Sequence, residues 1–270
     1  MEYDFIKQLE LQEATYWSDY FHNATERLKK TPGLHTGMID GTYCCSAPAE
    51  DVLVFNRVLC AGLTNVITSK YLQSLKAHYK SVGSKRFMVQ VAPTASPEDF
   101  SEILKNEGFT HLNNWAKSLR EIGKPVALSE SKVTVEHLAP NQIEDFNNVV
   151  LEAFDWGNGL NEMFTLTYGK KGWFHYLAKE NEKPVGIATM FTKNKFASLA
   201  IAGTIPDARG KGVQTALIRA RLNDAIKVGC RYAVVETAED KPDNPVTSYK
   251  NMMRQGFQRA YLRPGFLYEF

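Results

Sequence analysis

Residues 202–222 read AGTIPDARGKGVQTALIRARL, an apolar strand end that passes through Arg209, Gly210, Lys211 and Gly212 into an amphipathic helix. Two glycines flanking a lysine let the backbone turn tightly and leave its N–H groups bare. The helix that follows brings its own unpaired amides and positive dipole end to the same point. Val213, Leu217, Ile218, Leu222, Ala225 and Ile226 recur at helical spacing, with Arg219, Arg221 and Lys227 among the polar positions and Gly229 at the end. The pattern predicts a strand-loop-helix unit whose loop is either a plain tight connection or an anion cradle suited to a pyrophosphate.

Neither GxxxxGK followed by Ser or Thr nor GxGxxG is present here, which sets aside the nucleotide-hydrolase and dinucleotide loops. Arg209-Gly210-Lys211-Gly212-Val213-Gln214 instead resembles the Q/R-x-x-G-x-G/A acyl-CoA loop of the GCN5-related N-acetyltransferase (GNAT) superfamily, departing from it at Gln214. The resemblance implies acetyl-CoA as co-substrate, with its pyrophosphate over Arg209, Gly210, Lys211, Gly212, Val213, Gln214 and Thr215. Contact there is to backbone, so Gln214 keeps a usable amide. The pantetheine arm is expected beside the strand ending Ala202-Gly203-Thr204, pairing as an added strand would. Ile205-Pro206 is expected to break the ladder and splay the sheet. Asn244 and Asn251 are candidate hydrogen-bond partners of that arm; Asn244, ahead of Pro245, also suits a helix cap.

The likeness extends over residues 132–270. Strand-like WFHYLAK (173–179), PVGIATMF (184–191) and FASLAIAGT (196–204) precede the loop. RYAVVET (231–237), a helix over SYKNMMRQ (248–255) and a Gly256-Phe257 strand entry follow it. The superfamily often uses a tyrosine four residues before the glycine of that pair as general acid, but here the position is Met252. Tyr249, one turn earlier, is the substitute nearest in sequence, with Tyr261 and Tyr268 weaker candidates. Glu236 is a candidate acceptor of the amine proton, whose bland alternative is a salt-bridged strand residue. His175 reads as a satisfied core histidine before a general base. A helix over 142–156, a break at Gly157-Asn158-Gly159 and a second helix over 160–168 would place Phe154, Trp156, Phe164 and Tyr168 in the core or around an acceptor, with Asp155 and Glu162 able to attract a cationic amine.

With 270 residues and 44% apolar content the chain can build two ordinary cores. A formal charge of +2 gives no broad attraction to nucleic acid or membrane, and a local footprint through RGKG, Arg219 and Arg221 is the only nucleic-acid reading to weigh. The first residues, MEYDFIKQLELQE, lack the basic-then-apolar order of a signal peptide, and no apolar run is long enough for a membrane span, so a cytoplasmic location is expected. Cys44, Cys45, Cys60 and Cys230 have no metal spacing; they are expected to be reduced thiols, with no metal bound.

Before the linker at Glu121 to Lys132 the chain repeats itself. SVGSKRFMVQVAP (81–93) parallels KVGCRYAVVETAE (227–239), and ILKNEGF (103–109) parallels NMMRQGF (251–257). Where the second copy has RGKGVQ, the first has Ala61-Gly62-Leu63-Thr64-Asn65-Val66 and no cradle. The expected fold is α/β (α+β) with two GNAT-like domains, each a mixed, mostly antiparallel sheet flanked by helices. Residues 1–125 form a degenerate domain and 126–270 the complete one. The expected activity is transfer of an acetyl group to a primary amine of a small molecule, with homodimerisation left open. The alternatives are a non-catalytic acyl-CoA-binding module and a protein acetyltransferase acting on lysine or an N-terminus.

Overall fold

The computed structural model describes residues 1–127, 132–154, 156 and 159–270. In chain order the elements are α1 (Tyr3–His22), α2 (Glu26–Lys30), β1 (His35–Ile39), β2 (Thr42–Ser46), β3 (Arg57–Ala61), α3 (Ser69–Ser81), β4 (Arg86–Val91), α4 (Phe100–Asn106) and β5 (Thr110–Glu121). They continue with β6 (Val133–His137), α5 (Ile143–Ala153), β7 (Trp173–Glu180), β8 (Lys183–Lys193), β9 (Phe196–Ser198), β10 (Ala202–Thr204), α6 (Val213–Lys227), β11 (Tyr232–Ala238), α7 (Thr247–Arg254) and β12 (Gln258–Glu269).

These elements form two compact units, Met1–Ala116 with Ala260–Phe270, and Lys117–Arg259. The first unit thus ends within β5, before the expected boundary at 125, and it claims the last strand of the chain, which the sequence assigns to the second half.

In the first unit the sheet runs β1-β2-β3-β4-β12, with β3 and β4 parallel and β12 antiparallel to β4. Its core is Val58, Val89, Leu72, Leu75, Tyr79 and Phe87, all buried, with Tyr79 and Phe87 stacked at 4.1 Å. Helix α1 buries a different chemistry. Arg263 on β12 meets Glu10 at 2.8 Å and Glu13 at 3.0 Å, Arg57 on β3 meets Glu13 at 3.4 Å and Gln90 at 2.7 Å, and Tyr261 donates to Glu10. Two cations and two anions lie sealed under one helix, and each charge is tolerable there only through its partners.

The second unit has the order β11-β9-β8-β7-β6, with β10 also paired to β8. Strands β6 to β9 are antiparallel neighbours, and β9 with β11 is the parallel pair. The helix expected over 142–156 is α5 preceded by a short 3-10 turn, and the second expected helix is a 3-10 segment, Asn161–Thr165. Asp155, Gly157 and Asn158 lie outside the described residues, as do residues 128–131 of the linker.

Helices of both units are closed in the same way. After α3, Gly83 (φ 81°) turns the chain and the Ser84 amide donates to Tyr79 O at 3.0 Å; after α6, Gly229 (φ 82°) does so and the Cys230 amide donates to Ala225 O at 2.9 Å. Gly108 (φ 84°) after α4 and Gly256 (φ 78°) after α7 repeat the device, with Phe109 and Phe257 donating back to Leu104 and Met252. Each is a helix closed by a left-handed residue, a conformation nearly free for glycine and strained for others.

Candidate acyl-CoA site

The site begins with a mismatch in strand count. Phe191 on β8 faces Ser198 on β9, and Ala188 faces Ala202 on β10. Three steps along β8 therefore answer four along its partner, which is the signature of a bulge. The extra residue lies in 199–201, where Thr189 O accepts from the Ala200 amide and Thr189 donates its own amide to Ile201 O. Up to Ser198 the strand pairs with β11; from Ala202 on it pairs only with β8. The sheet splits there, ahead of the Ile205-Pro206 step that the sequence points to, and the Ile205 amide still bonds Val185 O.

Beneath the split lies Arg221, fully buried, its guanidinium donating to Leu217 O at 3.1 Å and to Thr189 O at 3.3 Å. It therefore belongs to the interior rather than to the polar face of α6, and supplies no basic footprint. Arg219 is spent on the Gln255 side chain at 3.0 Å. Gly203 is required where β10 passes α5, since a Cβ there would come within 2.7 Å of the Phe154 ring and 2.9 Å of Ala153.

Between the split and the two helices α6 and α7 opens a cavity of about 710 Å³. Of the residues predicted to hold acyl-CoA, Ala202, Gly203 and Thr204 line one wall, Arg209, Gly210, Gly212, Val213, Gln214 and Thr215 form the loop and first turn, and Asn251 faces them from α7. Lys211 and Asn244 do not line it. Lys211 reaches away to Glu180 at 3.2 Å, and Asn244 closes a backbone pair with Lys241 in the exposed loop before α7, so it is not the cap of that helix.

Gly210 (φ 79°) and Gly212 (φ 84°) are left-handed, and a Cβ built at either meets no atom within 4 Å. No side chain caps α6. Its first-turn amides face open space, which is what an incoming phosphate needs. The first unit keeps one left-handed glycine at the matching loop, Gly62 (φ 76°), and differs in the rest. Thr68 caps α3 by accepting from the Tyr71 amide, and the loop after β3 is sewn down by Gly62 O accepting from Ser96 N at 2.9 Å and by Ile67 N donating to Ser96 O at 2.8 Å. A Cβ on Gly62 would strike Ala95 at 2.7 Å. The loop at Gly62 is thus packed closed where the loop at Gly210 and Gly212 is open.

Arg209 is exposed but tied to backbone carbonyls. Its guanidinium donates to Thr204 O at 3.4 Å and Ala153 O at 3.2 Å, fastening the loop to β10 and to the end of α5. On α7 the face turned to the cavity carries Ser248, Asn251 and Met252. Tyr249 is one residue off that face, about 100° around the helix from Ser248, and is not among the lining residues. Glu236 on β11 does not line the cavity either, and Tyr261 is committed to Glu10 in the first unit. Phe154, read from the sequence as core or acceptor lining, is one wall; sequence reasoning missed Ala153, Ala208, Ile218, Thr247, Ser248 and Arg254 as lining, and spacing of three and four from Asn251 was the available signal for Ser248 and Thr247.

His175 is a core residue, 4% exposed, with Nε2 donating to Phe164 O at 2.9 Å. Burial lowers its pKa from 6.5 to about 4. The unfolded chain therefore binds a proton before the folded one does, so stability is complete above about pH 6.5 and is lost as pH falls toward 4. The loss amounts to about 3 kcal/mol at most. Urea unfolding followed across that window should show this acid limb in the wild type and a flatter one in His175→Gln; identical slopes would contradict it.

A smaller cavity of about 460 Å³ lies between β6 and α6. Its one buried carboxylate, Asp224, is already engaged by Tyr176 at 3.1 Å, His137 at 3.0 Å and Lys227 at 2.7 Å. Among the described residues no group of His, Cys, Asp and Glu is arranged to hold a metal ion, and no helix is long and apolar enough to cross a membrane.

Comparison with known proteins agrees with this geometry. Residues 141–249 match the model of the Acetyltransferase (GNAT) family. A GCN5-related N-acetyltransferase from Kribbella flavida superposes with a TM-score of 0.61 at 14% identity, over 94% of each chain. A second such protein, from Sphaerobacter thermophilus, gives 0.62 at 13% identity, over 74% of this chain and 67% of its own. A tandem GNAT protein from the clavulanic acid biosynthesis pathway gives 0.58 at 14% identity, over 79% of this chain and 74% of its own. At such identities the likeness is one of fold. No functionally curated protein matches the chain in sequence.

Proposed function

The chain belongs to the GNAT superfamily through the acetyltransferase domain within residues 141–249, and from that premise we propose that it moves an acetyl group from acetyl-CoA to the primary amine of a small molecule. The observation that carries the reading is the bare cradle: two left-handed glycines and an uncapped helix opening into a cavity beside a split sheet. The residues suit the group. Amides from Gly210 to Thr215 would take the pyrophosphate, and the free edge of β10 at Ala202 to Thr204 would pair with the amide-bearing arm.

Acetyl-CoA supplies the thioester carbonyl and a thiolate leaving group. The chain's part is to hold the arm in the split, against Phe154 and Met252, and to orient the amine. Met252 can neither give nor take a proton, and the polar groups nearest to it on the cavity face of α7 are Ser248 and Asn251. Proton transfer is therefore assigned to solvent entering the open cavity rather than to Tyr249 or Glu236. Cys44, Cys45, Cys60 and Cys230 are read as reduced thiols of a cytoplasmic protein.

The test is thiol release from acetyl-CoA across a panel of small amines. Release that rises with one amine and leaves an acetylated product is expected. Tight binding with no amine-dependent release would instead favour an acyl-CoA-binding module, the reading that buried Met252 supports.

A further inference from the structure

The loop departs from its family pattern at one position, and the structure shows how the departure is accommodated. Gln214 stands in the first turn of α6, where the pattern has glycine or alanine, and its Nε2 donates to Thr204 Oγ1 at 2.9 Å. Both residues line the cavity. Thr204 is thus a double anchor, its carbonyl receiving Arg209 and its hydroxyl receiving Gln214.

A glutamine at the start of a helix has a ready alternative. Its carboxamide oxygen can fold back and accept from unpaired amides of the same turn, as it does in capping boxes. In α6 those amides are the cradle. We propose that Thr204 is a positioning residue that holds the Gln214 carboxamide off the phosphate cradle, so that the pair together does what a small residue does alone. Without the Thr204 hydroxyl, Gln214 becomes an internal competitor for the amides that the phosphate requires. The inference rests on reading the cavity as an acyl-CoA site.

The test is a double-mutant cycle read by calorimetric titration with acetyl-CoA. Thr204→Val, which keeps the shape and removes the hydroxyl, is expected to weaken binding about tenfold, close to the worth of one competing hydrogen bond to a bare amide. Thr204→Ser is expected to restore the affinity. In a Gln214→Ala background, Thr204→Val is expected to have less than about a twofold further effect. An equal loss in both backgrounds would overturn the proposal, since Thr204 would then act on the ligand or the fold directly; so would wild-type affinity in Thr204→Val. A folded wild type that does not bind acetyl-CoA would instead overturn the reading of the cavity itself.

Discussion

Replacing Gly212 with aspartate should reduce acetyl-CoA binding by at least about a hundredfold, near 3 kcal/mol, while leaving the protein folded. Two effects act together. At φ 84° an L side chain is strained by about 1–2 kcal/mol. The added carboxylate would also sit at an uncapped helix N-terminus, where it satisfies the amides itself and repels a phosphate. The same self-capping offsets part of the strain, so the fold survives. Gly212→Ala carries the strain without the charge and should lose much less affinity. Titration calorimetry alongside thermal unfolding separates binding from folding, and unchanged affinity in the folded aspartate variant would refute the cradle.

Arg263→Met should destabilise the first unit by roughly 3–5 kcal/mol, the usual cost of breaking a buried ion pair from one side. Arg263 is fully buried and is the partner of both Glu10 and Glu13. Its removal takes a cation from both buried carboxylates, with Arg57 still beside Glu13 and the Tyr261 hydroxyl still donating to Glu10. Chemical unfolding of the variant beside the wild type checks the size. A deficit below about 1 kcal/mol would mean that solvent reaches the cluster.

Much of this was legible in the chain because glycine carries a conformational requirement that can be read without coordinates. Gly83, Gly108, Gly229 and Gly256 announce the repeat, and Gly210 with Gly212 announces the cradle. What stayed hidden depends on partners distant in sequence. A bulge is a difference in count between two strands, so nothing in FASLAIAGT alone shows that it breaks at 199–201. Arg221 falls on a polar position by periodicity yet is buried, because its acceptors, Leu217 O and Thr189 O, lie in the interior, the second shared with the Ala200 amide of that same bulge. The offset that turns Tyr249 from the cavity follows from where α7 begins, and helix starts are poorly fixed by pattern. The destination of β12 is set by strand pairing that no local signal encodes.

That last strand has a consequence for the two ends of the chain. Residues 260–270 complete the sheet of the first unit and carry Arg263 into the charges beneath α1. Early and late segments are thus closed into one core, in which a strand and a buried cation arrive together. Removing residues 260–270 would strip β4 of its antiparallel neighbour and Glu10 and Glu13 of Arg263 in a single step, so the first unit depends on the last residues made as much as on the first.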